Sequence, residues 1–322
     1  MRGYGKIILF GEHSVVYGYP ALATSLDVGV LCKIEPHNKY QLNVPCLSLV
    51  MNDNDSEHVL GKVFNKILSY FPQKKQACRI DLFPEIPLGA GLGSSAATSV
   101  SIIRGLLKHH NLVWDNNQVN DVAFAAETIF HGTPSGIDNT IATFGGMCYL
   151  RNAQEFPAPR QSIGEIPLKK LTISQLPVLS KPLQLMIVNT KRERRTKDLV
   201  DKVREFRNKN QVECDKTMQK MGSFAAIALD AFEREDFSTI GHLFDENQCC
   251  LQKIGVSCSE IDFVCDEARR HGALGAKLTG AGGGGCVIVL VEKQQPQLQE
   301  ILEQRGFEVF YALCGKDCTR GK

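Results

Sequence analysis

No apolar run in this chain of 322 residues is long enough to span a bilayer, so no helical membrane anchor is expected. The first residues lack the charged, apolar and small-residue regions of a secretory signal, and Lys6 already belongs to a strand candidate. The last four, Thr319-Arg320-Gly321-Lys322, carry no lipidation or address pattern. No targeting segment and a cytoplasmic location are therefore expected. The formal net charge is only +2, which gives no support to a polyanion-binding role, so nucleic acid is not an expected partner. Twelve cysteines include no C-x-x-C pair; Cys249-Cys250 are adjacent and Cys314/Cys318 are four apart, spacings that argue against zinc. They read as reduced thiols in a reducing compartment. Internal repeats and low-complexity segments are missing too. Each Gly-Lys, at Lys6, Lys62, Lys316 and Lys322, lacks the following Ser or Thr, which excludes a P-loop. A dinucleotide fingerprint beginning at Gly89 fails because its sixth position is Ser94.

What is present is an ordinary soluble composition, 43% apolar and 22% charged, at a length suited to one large or two medium domains. The most informative segment is Pro87-Leu88-Gly89-Ala90-Gly91-Leu92-Gly93-Ser94-Ser95-Ala96-Ala97. Alternating glycines let the backbone curl around a bulky anion, and two hydroxyls follow. A helix pattern begins at once and runs to Lys108, so unpaired N–H groups and the positive end of the helix dipole converge on one spot suited to phosphate. The plainer alternative is a glycine turn with a Ser cap.

Hydrophobic spacing predicts strands at Lys6 to Phe10, around Val28 to Leu31 and at Cys78 to Phe83. It predicts helices over Leu60 to Phe71 and over Val119 to Phe130, the latter ending near His131-Gly132. Residues from about Arg151 to Lys181 lose periodicity and hold several prolines, and read as a connection. Beyond it come a strand at Leu183 to Val188, several helices and strands at Ala273 to Leu278 and Cys286 to Val291. A helix from Gln294 to Arg305 and a strand from Phe307 to Leu313 follow. This is βαββαβ with extra helices, a ferredoxin-like module. The turn Gly280 to Val287 matches the protein-kinase glycine loop as letters, but no lysine strand or catalytic loop follows it.

Three charged residues stand out. Glu127 falls in the last turn of its helix, where the dipole favours cations, so it asks for a cation partner such as a metal ion; a solvated Glu is the alternative. Asp138 follows Pro134-Ser135-Gly136-Ile137 and suits the first turn of a short helix, where an acid also has a purely structural use. Lys6 lies in or beside a strand, and an edge-strand lysine is its bland reading.

Taken together the residues resemble the GHMP family of small-molecule kinases. The match is carried by Gly5-Lys6-Ile7-Ile8-Leu9-Phe10-Gly11-Glu12-His13-Ser14-Val15-Val16-Tyr17-Gly18, by the Pro87 to Ala97 loop and by Lys277-Leu278-Thr279-Gly280-Ala281-Gly282-Gly283-Gly284-Gly285-Cys286. Two further markers are His131 to Asn139 and Asn189-Thr190-Lys191 with Arg194 and Thr196 behind it. All occur in family order, from near Gly3 to near Leu290, and the match weakens over residues 38–76 and 151–181.

The resemblance implies an α+β, two-domain GHMP kinase fold. An N-terminal α/β domain, residues 1–181, would contain a left-handed βαβ crossover, and residues 182–322 would form the C-terminal ferredoxin-like domain. The active site would lie in the cleft between them. It implies that Gly89, Ala90, Gly91, Leu92, Gly93, Ser94 and Ser95 wrap the phosphates of ATP, and that Ser95 and Glu127 ligate Mg2+. Asp138 would take the proton of the acceptor hydroxyl with Lys6 beside it, and Lys6, Glu12, His13, Thr196 and Thr279 would line the substrate. The implied reaction is phosphorylation of the primary hydroxyl of mevalonate. The alternatives are a family kinase acting on phosphomevalonate or homoserine, and a ligand-binding member without catalysis. A homodimer and inhibition by prenyl diphosphates are further implications. Leu88 stands where animal relatives commonly carry a second proline, which tilts the comparison away from animal enzymes.

Overall fold

The computed structural model describes residues 1–53, 55–72, 76–132, 134–160, 162–168, 171–193 and 195–315. Thr133, Arg194 and Cys318 lie outside the described residues. The chain divides into two compact units. Among the described residues one holds Met1–Lys6 and Ser25–Gly145; the other holds Ile7–Thr24 and residues 146–315. The boundary expected at 181/182 falls between two strands of the second unit.

Strands β1 (Arg2–Phe10) and β2 (Ala21–Pro36) pair with each other and each contributes to both units. The first unit continues with β3 (Gln41–Val44), β4 (Leu49–Asn52), helix α1 (Val59–Leu68), β5 (Cys78–Pro84), α2 (Ser94–His109), α3 (Asn116–His131) and α4 (Ile137–Phe144). Its sheet runs β2-β5-β3-β4. β2 and β5 are antiparallel with Cys32 opposite Leu82, and β3 is parallel to β5 with Leu42 opposite Ile80. Helix α1 starts where the His58 side chain accepts the Leu60 N–H, and buries Val63, Phe64, Ile67 and Leu68. Helix α3 starts at a reciprocal capping box between Asp115 and Gln118, which satisfies two orphan donors at once. Helix α2 is the central post. It packs on α3, α4 and β5, and its Val100, Ile102, Ile103 and Leu106 are wholly buried.

In the second unit Ala21–Thr24 of β2 pairs with β6 (Met147–Arg151), and β6 pairs with β8 (Thr172–Leu176), itself paired with β7 (Gly164–Pro167). The segment read as a connection therefore contains strands. Arg151, buried on β6, is held by Glu165, by Ser174 and by the Phe156 carbonyl, which ties the hairpin together without hydrophobic alternation.

The remaining elements are β9 (Leu183–Asn189), α5 (Thr196–Lys209), α6 (Gln211–Glu233), α7 (Phe237–Lys253), α8 (Ser259–Arg270), β10 (Gly275–Leu278), β11 (Cys286–Leu290), α9 (Pro296–Gln304) and β12 (Glu308–Cys314). Their sheet is antiparallel in the order β10-β11-β9-β12, the ferredoxin-like arrangement expected from the βαββαβ pattern. Helices α7 and α8 pack on β10, and α9 packs on β12. The α7–β10 approach depends on two glycines. A Cβ on Gly275 would stand 1.9 Å from the Gly241 carbonyl oxygen, so any larger residue there would force helix and strand apart.

Candidate active site

The phosphate-loop expectations meet in the first unit. Gly89, Gly91 and Gly93 all adopt positive φ, and Gly93, at φ 70°, stands directly before α2 as its N-cap. Its backbone turn could be reached by another residue only under strain, and a Cβ there would come within 3.3 Å of the Lys6 Cβ. Ala90 and Leu92 are buried and anchor the loop from below, and the Leu92 carbonyl accepts the Lys6 N–H at 2.8 Å. Ser94 Oγ accepts the Gly89 N–H at 3.3 Å and closes the loop on itself. The loop thus presents the first turn of a 16-residue helix.

Ser95, one residue further, faces α3. Its Oγ donates to Glu127 Oε2 at 3.2 Å and lies 3.2 Å from His131 Nε2. Glu127 is only 1% exposed, which disposes of the solvated reading. Its second oxygen, Oε1, is buried with no hydrogen-bond partner among the described residues. Burial, and then the Asp138 charge, push its carboxyl up to about 7, against the opposing pull of the Ser95 hydrogen bond and Lys6. An acid in that state asks for a cation, and its oxygens suit a hard one. The sequence marks His131 as a helix end and as the start of the His131 to Asn139 marker, without a site role. One turn beyond Glu127 on α3, its Nε2 lies 3.6 Å from Glu127 Oε2. The i,i+4 spacing was the signal that could have found it.

Lys6 and Asp138 form the other half of this site. Lys6 is buried on β1 and its Nζ stands 2.8 Å from Asp138 Oδ1. Asp138 occupies the first turn of α4, which begins at Gly136 in the left-handed region, and its side chain is 34% exposed. An acid in a first turn is favoured by the helix dipole, but here it also holds an ammonium. Among the described residues β1 pairs only with β2, so Lys6 does stand on an edge strand, but buried and in contact with a residue 132 positions away rather than solvated.

The second unit gathers the N-terminal Glu12 and His13 with the Lys277 to Cys286 motif. Glu12 is 1% exposed; one carboxylate oxygen pairs with the Lys277 ammonium and the other accepts from Asn247 Nδ2 at 3.1 Å. Thr279 is wholly buried; it donates to the Ile8 carbonyl at 3.0 Å and accepts the Ile8 N–H at 3.1 Å. Glu12 and Thr279 were expected to face a substrate. Their polar atoms make internal hydrogen bonds that brace the turns they stand on. His13 Nε2 lies 2.9 Å from the Ala281 carbonyl, which can only accept, so the proton sits on Nε2. Thr196 opens α5 and is exposed. The glycine run that resembled a protein-kinase loop is the β10–β11 turn, closed by Thr279 N–H on the Cys286 carbonyl at 3.0 Å.

A glycine loop at a helix start, a buried acid with an oxygen that lacks a partner among the described residues and a lysine–aspartate pair suit the chemistry of a small-molecule phosphotransferase. The chain belongs to the GHMP kinases: residues 58–146 match the GHMP kinases N terminal domain and residues 228–308 match GHMP kinases C terminal. Mevalonate kinase of Thermococcus sibiricus is 30% identical to it over 325 residues, covering 94% of this chain and 91% of that one. Among solved structures, L. major mevalonate kinase in complex with R-mevalonate is 26% identical, with a TM-score of 0.78 over 97% of this chain and 94% of the other. The Methanococcus jannaschii mevalonate kinase is 25% identical, with a TM-score of 0.81 over 97% of both chains. Among the described residues no helix is long and apolar enough to cross a membrane.

Proposed function

We propose that the chain transfers the γ-phosphoryl group of ATP to the primary hydroxyl of mevalonate, giving 5-phosphomevalonate and ADP. The observation that carries the reading is the Lys6–Asp138 contact at 2.8 Å, in a chain aligned over 94% of its length with a mevalonate kinase. The acceptor oxygen bonds to the γ-phosphorus as the bond to the β–γ bridging oxygen breaks, and the hydroxyl proton passes to Asp138. Catalysis of a loose phosphoryl transition state is mostly positioning and charge neutralisation. The Gly89 to Ser95 loop holds the phosphates with N–H groups at the start of α2, and Lys6 adds positive charge beside the reacting oxygen.

The orphaned Oε1 of Glu127 beside the Ser95 hydroxyl fits Mg2+, and these two residues would hold it. When bound, Mg2+ supplies neutralisation of phosphate charge. His13 and Thr196 serve the acceptor, with Glu12 and Thr279 fixing the turns. A homodimeric state, inhibition by prenyl diphosphates and a cytoplasmic location complete the proposal on the family resemblance; light scattering and inhibitor titration check the first two.

The test is ADP release and phosphorus NMR with ATP, Mg2+ and three acceptors. Mevalonate is expected to be the acceptor, with the new phosphoester on its primary hydroxyl. Comparable kcat/KM for homoserine or phosphomevalonate overturns the substrate assignment, and binding without ADP release favours a non-catalytic member.

A further inference from the structure

His13 is a non-glycine residue at φ 60° and ψ −44°, outside the favoured regions for an L side chain. Glycines stand close by at Gly11 and Gly18, both at positive φ, so a turn of this shape has residues suited to it. A side chain kept in such a backbone persists only where its surroundings over-determine it. Here they do. The His13 ring is fastened to the Ala281 carbonyl at 2.9 Å. The Glu12 carbonyl accepts the Ser14 N–H at 2.6 Å, and the Gly11 carbonyl accepts the Val15 N–H at 3.1 Å.

The Glu12 side chain is locked in turn. Lys277, wholly buried on β10, gives its ammonium to Glu12 and to the Leu278 carbonyl at 2.7 Å, with the Phe244 ring centroid 5.8 Å away. Helix α7 holds the far side: Asn247 donates to Glu12 at 3.1 Å, and Gln248 accepts the Leu278 N–H at 3.0 Å. A buried ion pair is a weak source of stability, and apolar residues of similar volume often replace one without loss. A charged lock under a strained histidine therefore calls for a use other than stability.

We propose that Lys277, Glu12 and Asn247 form a positioning unit that holds the His13 imidazole against the Gly280–Gly285 turn, so that Glu12 and Lys277 act on the acceptor only through His13. This rests on the reading that His13 serves the acceptor. Burial lowers the Lys277 pKa and Glu12 opposes that shift, so Glu12→Gln removes the charge that favours the ammonium.

The test compares wild type, Glu12→Gln and the double variant Glu12→Gln/Lys277→Met, which strands no charge; Lys277→Met alone leaves a buried carboxylate and is expected to fold poorly. Glu12→Gln is expected to raise acceptor KM about tenfold or more while ATP KM stays within about twofold, because small misplacements of a positioning group are costly. The double variant should be no worse than Glu12→Gln, since residues acting as one unit are not additive. A further loss in the double variant overturns the proposal, as does a fall in Tm with an unchanged ratio of the two KM values. Nitrogen-15 NMR of histidine-labelled protein without substrates gives an independent arm. The His13 Nε2 resonance, assigned with His13→Gln, should move in Glu12→Gln; an unmoved resonance rejects the network whatever the substrate. Wild-type inactivity on mevalonate with a moved resonance rejects the functional reading and keeps the network.

Discussion

Two buried charged constellations in this chain differ in how completely their hydrogen bonds are satisfied. Around the phosphate loop, Glu127 keeps an oxygen without a partner among the described residues and Asp138 is about one-third exposed beside Lys6. Around Glu12, both carboxylate oxygens, the Lys277 ammonium and the Thr279 hydroxyl are engaged and the side chains are within 1% of full burial; there the atom without a partner among the described residues is the neutral Asn247 Oδ1, not a carboxylate oxygen. A buried carboxylate oxygen without a partner is the costlier case, so Glu127 is explained by a ligand that completes it, whereas Glu12, with both oxygens engaged, is explained by the backbone it fixes. Substitutions in the first should therefore impair chemistry without loss of stability, and substitutions in the second should lower stability or, for the Glu12–Lys277 pair, the affinity for one substrate.

The largest expected effect is that of Asp138→Ala, a loss of about 10²–10⁴-fold in kcat, the usual range for removal of a general base. Nucleotide binding, measured by calorimetry, should survive. Retention of more than half the wild-type kcat would move Asp138 into the structural set.

Glu127→Gln comes next and has two readouts. The Mg2+ concentration for half-maximal rate should rise, because a charged oxygen ligand is lost. The second is stability in chelator. The folded chain holds this carboxyl at about 7 against an ordinary 4.5, so folding takes up a proton between those values. The contribution is fully present below pH 4.5 and is lost as pH rises through about 7. At pH 8 Glu127→Gln should thus be more stable than wild type by about 3 kcal/mol, and at pH 4.5 equal to it. Identical denaturation midpoints at pH 8 would show that the charge is already compensated within the protein.

In the second set Thr279→Val should cost about 1–3 kcal/mol, because it removes both hydrogen bonds to Ile8 and leaves a partly buried N–H and carbonyl without the hydroxyl. Urea melts measure this, and a change under half that size would mean water replaces the hydroxyl. The smallest stability effect is expected for exposed Thr196→Ala, within about 0.5 kcal/mol. Its acceptor KM should rise while ATP KM stays put, and an unchanged acceptor KM removes Thr196 from the substrate side.

The parts of the fold that were legible are those with a local period. Val63, Phe64 and Ile67 repeat at helical spacing and form α1, and the βαββαβ order of the second half reappears in the β10-β11-β9-β12 sheet. The overlooked strands have no such signature. β6 is buried at every one of its five positions and contains an arginine, so it does not alternate. β7 carries a proline and leaves two of its four residues exposed. β3 and β4 have four residues each, too few to establish a period. In the site, the glycine loop announced itself because positive φ restricts residue choice. The pairing of Glu12 with Lys277 did not, since nothing local to either residue refers to a partner 265 positions away.

By itself the sequence determined the turn chemistry and the helix starts: glycines where φ is positive, Gly93 before α2, and the Asp115 and Gln118 box before α3. These are properties of a few consecutive residues and their backbone sterics. Only the tertiary structure decided which acids are open and which are sealed. Glu12 and Glu127 are the same residue type and equally buried. One meets an ammonium and an amide while the other keeps an oxygen without a partner among the described residues, because burial and partners are set by packing between distant elements.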